Sequence, residues 1–96
     1  MTNKRIDEYI ACEICNKYPA SSTHEIFHDG TSYARNLCIL NKYQIKVCIK
    51  CHDIIHNTDS ILDRKLKKKW QKKIMIEKGW LTPEKWIKTT RLRNYI

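Results

Sequence analysis

The chain has 96 residues, 42% of them hydrophobic and 30% charged, with two Gly and two Pro, so we expect one small globular domain whose core is supplemented by a metal or by disulfides. No unbroken apolar run exceeds four residues (Leu37 to Leu40), too short for a membrane span, and the charged stretch Met1 to Glu13 lacks the apolar centre of a signal peptide, so the sequence reads as cytoplasmic. The net charge of +9 is unevenly placed: residues 1–63 hold seven Lys/Arg against eight Asp/Glu, residues 64–78 eight against one, and residues 79–96 a net three positive, a split that points to a polyanionic partner, most simply nucleic acid.

Taken in chain order, Cys12-x2-Cys15 is followed by a loop over Tyr18 to Ser22, where Pro19 and two serines break regular structure. Thr23 to His28 predicts a short strand, and Asp29-Gly30-Thr31-Ser32 a turn. Tyr43 to Cys48 predicts a second strand, because Ile45 and Val47 alternate with Gln44 and Lys46. A helix is expected from the second Cys pair through His56, ending near Asn57-Thr58. A further helix, capped by Asp59 or Ser60, is expected to run to Lys78. Leu62, Leu66, Trp70 and Ile74 fall four apart on it, lysines occupy its other faces, and Gly79 is placed to stop it. Thr82-Pro83-Glu84 opens a final short helix with Trp86 and Ile87 as packing groups. Trp70, Trp80 and Trp86 are expected to build a small core between helices.

All five cysteines and all four histidines lie between Cys12 and His56, a concentration that scattered structural use does not produce. Cys12-x2-Cys15 and Cys48-x2-Cys51 are separated by 32 residues. Two residues between thiolates let a tight turn aim both sulfurs at one ion, and two such turns complete a tetrahedral zinc site with no open position. In a reducing compartment such spacing favours metal over disulfides. Cys38 reads as an ordinary buried thiol.

The histidines have no role in a four-sulfur site. His52 and His56 share one face of the expected helix, one turn apart, and His24 on the first strand meets that face if strand and helix pack together. Three such imidazoles would hold a second divalent ion with open positions, able to activate water or clamp a phosphate. Glu25 beside His24 is either a proton acceptor or a solvated strand residue, and His28 reads as a surface turn residue. An i, i+4 His pair is also an ordinary polar helix face, and helix lysines commonly do no more than solvate.

Together, Cys12-x2-Cys15, His24-Glu25-Ile26-Phe27 and Cys48-x2-Cys51-His52-x3-His56 resemble the HNH (His-Asn-His) endonucleases, and more narrowly the small HNH-type proteins of bacteriophages and prophages. Arg35, Lys42-Tyr43-Gln44-Ile45, Leu62-Asp63-Arg64-Lys65-Leu66-Lys67 and Asn94-Tyr95-Ile96 extend the likeness from residue 11 to the end. The resemblance implies an α+β fold in a single domain. Residues 11–58 would form a zinc-stabilised ββα-metal finger of two Cys-x-x-Cys knuckles, a short β-hairpin and a helix, and residues 59–96 C-terminal basic helices. It implies structural Zn²⁺ on Cys12, Cys15, Cys48 and Cys51, and a catalytic Mg²⁺, Mn²⁺, Ni²⁺ or Zn²⁺ on His24, His52 and His56. Glu25 stands where the family carries a histidine as general base, with His28 as the alternative, and Asn41 or Gln44 stands for the middle Asn. The implied activity is hydrolysis of a DNA phosphodiester by an endonuclease or nickase, with Arg35, Lys65, Lys68, Lys69, Lys72 and Lys73 gripping backbone phosphates. Two alternatives stand beside it: a zinc-stabilised DNA-binding module of the same ancestry that does not cut, and a phage protein that binds a host protein.

Overall fold

A short hairpin, interrupted by a helix, organises the chain. The computed structural model describes residues 10–56 and 61–96. Strand β1 (Ser22–Glu25) leads into helix α1 (Ser32–Asn41) and strand β2 (Gln44–Val47). Helices α2 (Ile49–His56), α3 (Ile61–Lys78) and α4 (Pro83–Thr90) follow. The strands pair antiparallel, with Ser22 opposite Val47 and His24 opposite Ile45. The expected end of α2 at Asn57-Thr58 and the cap at Asp59 or Ser60 lie outside the described residues. No helix among the described residues is long and apolar enough to cross a membrane.

The first strand is shorter than its sequence suggested. Ile26 and Phe27 are consecutive and both fully buried, so the alternation that defines a half-buried strand stops at Glu25. His28 is thereby released from the sheet. The segment after it holds α1, which the turn residues alone did not reveal. Asp29 Oδ1 accepts the Thr31 N–H at 2.9 Å and the Thr31 hydroxyl at 2.6 Å, and Thr31 Oγ1 in turn caps the helix by accepting the Ala34 N–H at 3.2 Å. At the other end Lys42 turns left-handed at φ 59°. Its N–H reaches Ile39 O and that of Tyr43 reaches Cys38 O, closing the last carbonyls in a Schellman turn.

Helix α3 matches its expected span and ends at Gly79, whose φ is +73°. The Gly79 N–H bonds Ile76 O and the Trp80 N–H bonds Met75 O at 2.9 Å, the same stop made with the residue that adopts this backbone freely. The face turned to the core is wider than the Leu62/Leu66/Trp70/Ile74 row: Gln71 and Met75 from the adjacent row are buried beside Ile74. Helix α4 starts on the Thr82 cap with Pro83 in its first turn.

The C-terminal third belongs to the core and does not trail from it. Phe27 stacks on Tyr95 at 5.6 Å and meets Trp86 and Tyr43 edge-on at 5.3 and 5.8 Å. Trp86 is fully buried, and its Nε1–H donates to Arg93 O at 2.7 Å. Trp70 and Trp80 are half-buried around the same cluster. Each large apolar side chain buried here is worth about 1.5–3 kcal/mol, and each aromatic pair about 0.5–1.5 kcal/mol more.

Gln71 fastens the tail to α3. It is fully buried, accepts the Tyr95 N–H on Oε1 at 2.6 Å and donates to Asn94 Oδ1 at 2.9 Å. Gln71→Ala leaves a backbone donor without its partner and opens a cavity, so it should lower stability by about 2–4 kcal/mol. Urea unfolding followed by tryptophan fluorescence measures this; a midpoint equal to wild type would mean that the tail is not held through Gln71.

Candidate metal centres

The first knuckle is built by backbone geometry. Asn16 adopts φ 56°, a left-handed conformation that Asn tolerates, and its N–H closes onto Cys12 O at 2.9 Å. The tight loop directs main-chain N–H groups at sulfur: Ile14 N–H to Cys12 Sγ at 3.4 Å and Lys17 N–H to Cys15 Sγ at 3.5 Å. At the head of α2 the Cys51 N–H points to Cys48 Sγ at 3.4 Å in the same manner.

The two knuckles meet. The sulfurs of Cys12, Cys15, Cys48 and Cys51 all lie within 4.8 Å of one another, with Cys15 and Cys48 3.9 Å apart. Tetrahedral zinc with Zn–S bonds near 2.3 Å separates its sulfurs by about 3.8 Å, so the set is compatible with a zinc site. The electrostatics fit a cation too. Burial opposes ionisation of Cys12, yet the N–H groups of Cys15, Cys48 and Ile14 bring its pKa down to about 6. Burial and the neighbouring sulfurs push Cys51 up to about 12. Four thiols crowded together cannot all ionise unless a positive charge lies among them.

The imidazoles form a second cluster between β1 and α2. His24 points inward from β1 and is 1% exposed, while Glu25, the next residue, points to the opposite face. His52 and His56 project from consecutive turns of α2. Their ring centroids lie 5.4 and 5.1 Å from that of His24. His52 Nδ1 meets Ser22 Oγ, and its Nε2 meets His56 Nε2, both at 3.1 Å. The rings of the three imidazoles expected together adjoin one another, but His52 falls outside the group whose ligating atoms all lie within 4.8 Å.

His28 joins them, which corrects its reading as a surface turn residue. Because β1 stops at Glu25, His28 swings toward α2. Its ring stands 5.2 Å from His24 and 4.7 Å from His56, and ligating atoms of His24, His28 and His56 lie within 4.8 Å of one another. Its Nε2 contacts Asp63 Oδ1 at 3.0 Å. Sequence offered one sign of this, the i, i+4 spacing of His24 and His28, and none of Asp63.

Two further observations suit a bound cation. His24 Nε2 is buried without a hydrogen-bond partner, a state that costs about 1–3 kcal/mol when nothing engages the atom. Burial, and then the neighbouring imidazoles of His28, His56 and His52, lower the His24 pKa to about 3. Burial, and then the imidazoles of His28 and His52, lower His56. Both shifts favour the neutral ring, the form that ligates metal.

The other expected residues sit nearby to different degrees. Glu25 accepts a hydrogen bond from Gln44 Nε2 at 3.3 Å and shares a shallow pocket of about 260 Å³ with His28, Thr31 and Arg35. Asn41 closes α1, exposed, with its amide donating back to Leu37 O at 2.9 Å. Its side chain is committed to that helix end, while the alternative, Gln44, is the one that contacts Glu25. Lys65, Lys68, Lys69, Lys72 and Lys73 are exposed along α3, and Lys73 Nζ lies 4.9 Å over the Trp70 ring.

No protein-family model matches the chain, and neither a curated protein nor a solved structure matches it.

If the sulfur set holds zinc, purified protein should carry about one tightly bound ion per chain, and a strong chelator should unfold it, because structural zinc contributes about 10–16 kcal/mol against a typical domain stability of about 5–15 kcal/mol. Bound zinc and the far-UV circular dichroism signal should fall together. A chelated protein with an unchanged melting curve would remove the zinc from the fold.

Proposed function

We propose that the protein is a metal-dependent phosphodiester hydrolase acting on DNA, an endonuclease or nickase with an HNH-type site, folded around a structural zinc. The reading rests above all on one observation: buried, unpartnered His24 converges with imidazoles from α2 at the edge of the molecule. A closed sulfur set cannot take substrate, whereas imidazoles that include the exposed His56 leave coordination positions open.

A divalent ion held by His24, His52 and His56 would supply Lewis-acid stabilisation of a phosphate and of its departing oxygen. The chain's own groups do the rest. Glu25, oriented by Gln44, leaves β1 on the face opposite His24 but lines the same pocket as His28 and Arg35, and would take a proton from a water held in that pocket. Arg35, across the same pocket, offers a guanidinium to a phosphate oxygen. The lysines of α3 bind backbone phosphates without reading bases.

The placement of Glu25 also favours a second reading, a zinc-stabilised DNA-binding module that does not cut, because the residue in the family's base position faces away from His24. Nicking of supercoiled plasmid separates the two. Zinc-loaded protein with added Mg²⁺, Mn²⁺ or Ni²⁺ should convert supercoiled to open-circular DNA, and His56→Ala, an exposed change that spares the core, should slow this at least about 100-fold. Equal nicking by that variant would place the chemistry elsewhere; no nicking by wild type with any ion would leave the binding module.

The phosphate grip is tested separately. Replacing Lys68, Lys69, Lys72 and Lys73 with Gln should flatten the dependence of log K on log[salt] by up to about 0.9 per lost phosphate contact. An unaltered slope in fluorescence-anisotropy titrations would mean that DNA is held by another face.

A further inference from the structure

Two side chains outside the ligand set that the resemblance implies are organised around the imidazoles. His28 lies at the end of the β1 loop, and Asp63 is in the first turn of α3. The imidazoles whose ligating atoms all lie within 4.8 Å of one another are His24, His28 and His56. His52 falls outside that group: its Nδ1 is engaged by Ser22 Oγ at 3.1 Å, and its Nε2 lies 3.1 Å from His56 Nε2.

Asp63 is well placed to fix His28. Its Oδ1 lies 3.0 Å from His28 Nε2, and its Oδ2 lies 3.1 Å from Lys67 Nζ one turn further along α3. With both carboxylate oxygens engaged, the group presents one orientation. A neutral imidazole that donates Nε2–H to a carboxylate keeps its lone pair on Nδ1, and carboxylate–histidine pairs of this kind commonly orient metal ligands and raise their basicity.

We infer that His28 is a ligand of the imidazole-held cation and that Asp63 is the positioning residue that sets its tautomer, so that the inner ligands are His24, His28 and His56 and the centre takes borderline transition ions such as Ni²⁺, Co²⁺ or Zn²⁺ in preference to Mg²⁺. The selectivity follows from the donors. The set contains imidazole nitrogens and no carboxylate, and Mg²⁺ requires hard oxygen ligands in near-octahedral array, whereas imidazole suits the later first-row ions. The inference rests on the imidazole-held cation of the proposed function, replaces His52 by His28 in its ligand set, and is independent of hydrolysis.

Calorimetric titration of zinc-loaded protein with Ni²⁺, and separately with Mg²⁺, tests it. Wild type should take up one further Ni²⁺ per chain and bind Mg²⁺ at least about 100-fold more weakly. His28→Ala should weaken Ni²⁺ binding as strongly as His56→Ala does. Asp63→Ala should weaken it by about 10–100-fold, and Asp63→Asn by less, since the amide oxygen still accepts from Nε2–H. Zinc content and the melting curve of each variant separate lost ligation from lost fold. As a check that needs no variant, long-range ¹H–¹⁵N spectra should show His28 as the Nε2–H tautomer, with its Nδ1 resonance shifting on a second equivalent of Zn²⁺. Wild-type Ni²⁺ affinity in His28→Ala, equal affinity for Mg²⁺ and Ni²⁺, or an Nδ1–H tautomer would each overturn the inference. Ni²⁺ binding that depends on His28, without plasmid nicking, would sink the hydrolase reading and leave this one standing. Nicking with Ni²⁺ binding intact in His28→Ala would do the reverse.

Discussion

Four cysteine sulfurs from two loops, 32 residues apart in sequence, meet within 4.8 Å, and the positions of the remaining elements follow from that junction. The first knuckle also bonds to β2: the Glu13 N–H reaches Lys46 O at 2.9 Å, and the Lys46 N–H reaches Glu13 Oε2 at 2.6 Å. Strand β2 is therefore flanked by β1 and by the knuckle, and α2 begins immediately beyond Cys48. The point where α2 starts and the face it turns to β1 are thus both fixed. Imidazoles one and two turns along that helix then fall opposite His24. A chain of this size has little apolar surface with which to set such an angle by packing alone, so the junction of sulfurs carries a task that a larger core would share.

The two clusters use burial in opposite ways. Around the sulfurs, backbone N–H groups are directed at the donors and the set is enclosed, which suits an ion that is held and never exchanged. Around the imidazoles, His24 is buried and unpartnered while His56 is exposed. A small domain that gave up stability to bury a polar nitrogen without a partner would lose a sizeable part of its margin, and local departures of this kind concentrate where a site has work to do. That asymmetry, a fixed inner donor and open outer ones, underlies the proposal of a reactive ion at this position.

Much of the arrangement could be read from spacing. The Cys-x2-Cys pairs, the i, i+4 histidines of α2, the four-residue periodicity of α3 and the Gly79 stop are local patterns with local causes, and each appears where the sequence put it. What escaped was decided at a distance. Helix α1 lacks a clean amphipathic stripe, since only Ala34 and Cys38 are buried, and its start depends on the Asp29–Thr31 side-chain exchange, which reads equally as a turn. His28 looked like a turn residue because the end of β1 is set by the burial of Ile26 and Phe27, with Phe27 packing on Tyr95 and Trp86, a contact across nearly seventy residues of sequence. Asp63 carries no sequence signal at all, because its partner lies on a different element. Asn41, a residue type sought for a family position, donates its amide back to Leu37 O at the end of its own helix, a local contact that spacing does not announce.

The packing of the C-terminal third matters most for the functional reading. Charge counting alone separates a neutral body from a basic tail, and a tail would bring phosphates near the imidazoles only on average. In the structure Gln71, Trp86 and Tyr95 lock α3 and α4 into the same core as the hairpin, and Asp63 ties the first turn of α3 to His28. The lysine-bearing face of α3 therefore stands in a fixed relation to the imidazoles. For a hydrolase this is the useful arrangement, because a phosphate backbone bound along α3 would reach the ion in one orientation, and fixed geometry lowers the barrier for in-line attack more than affinity alone does. The same rigidity gives a non-cutting module a single mode of docking on DNA, so the lysines and the fold serve both readings equally and the distinction rests on Glu25, His28 and whether the imidazoles hold an ion.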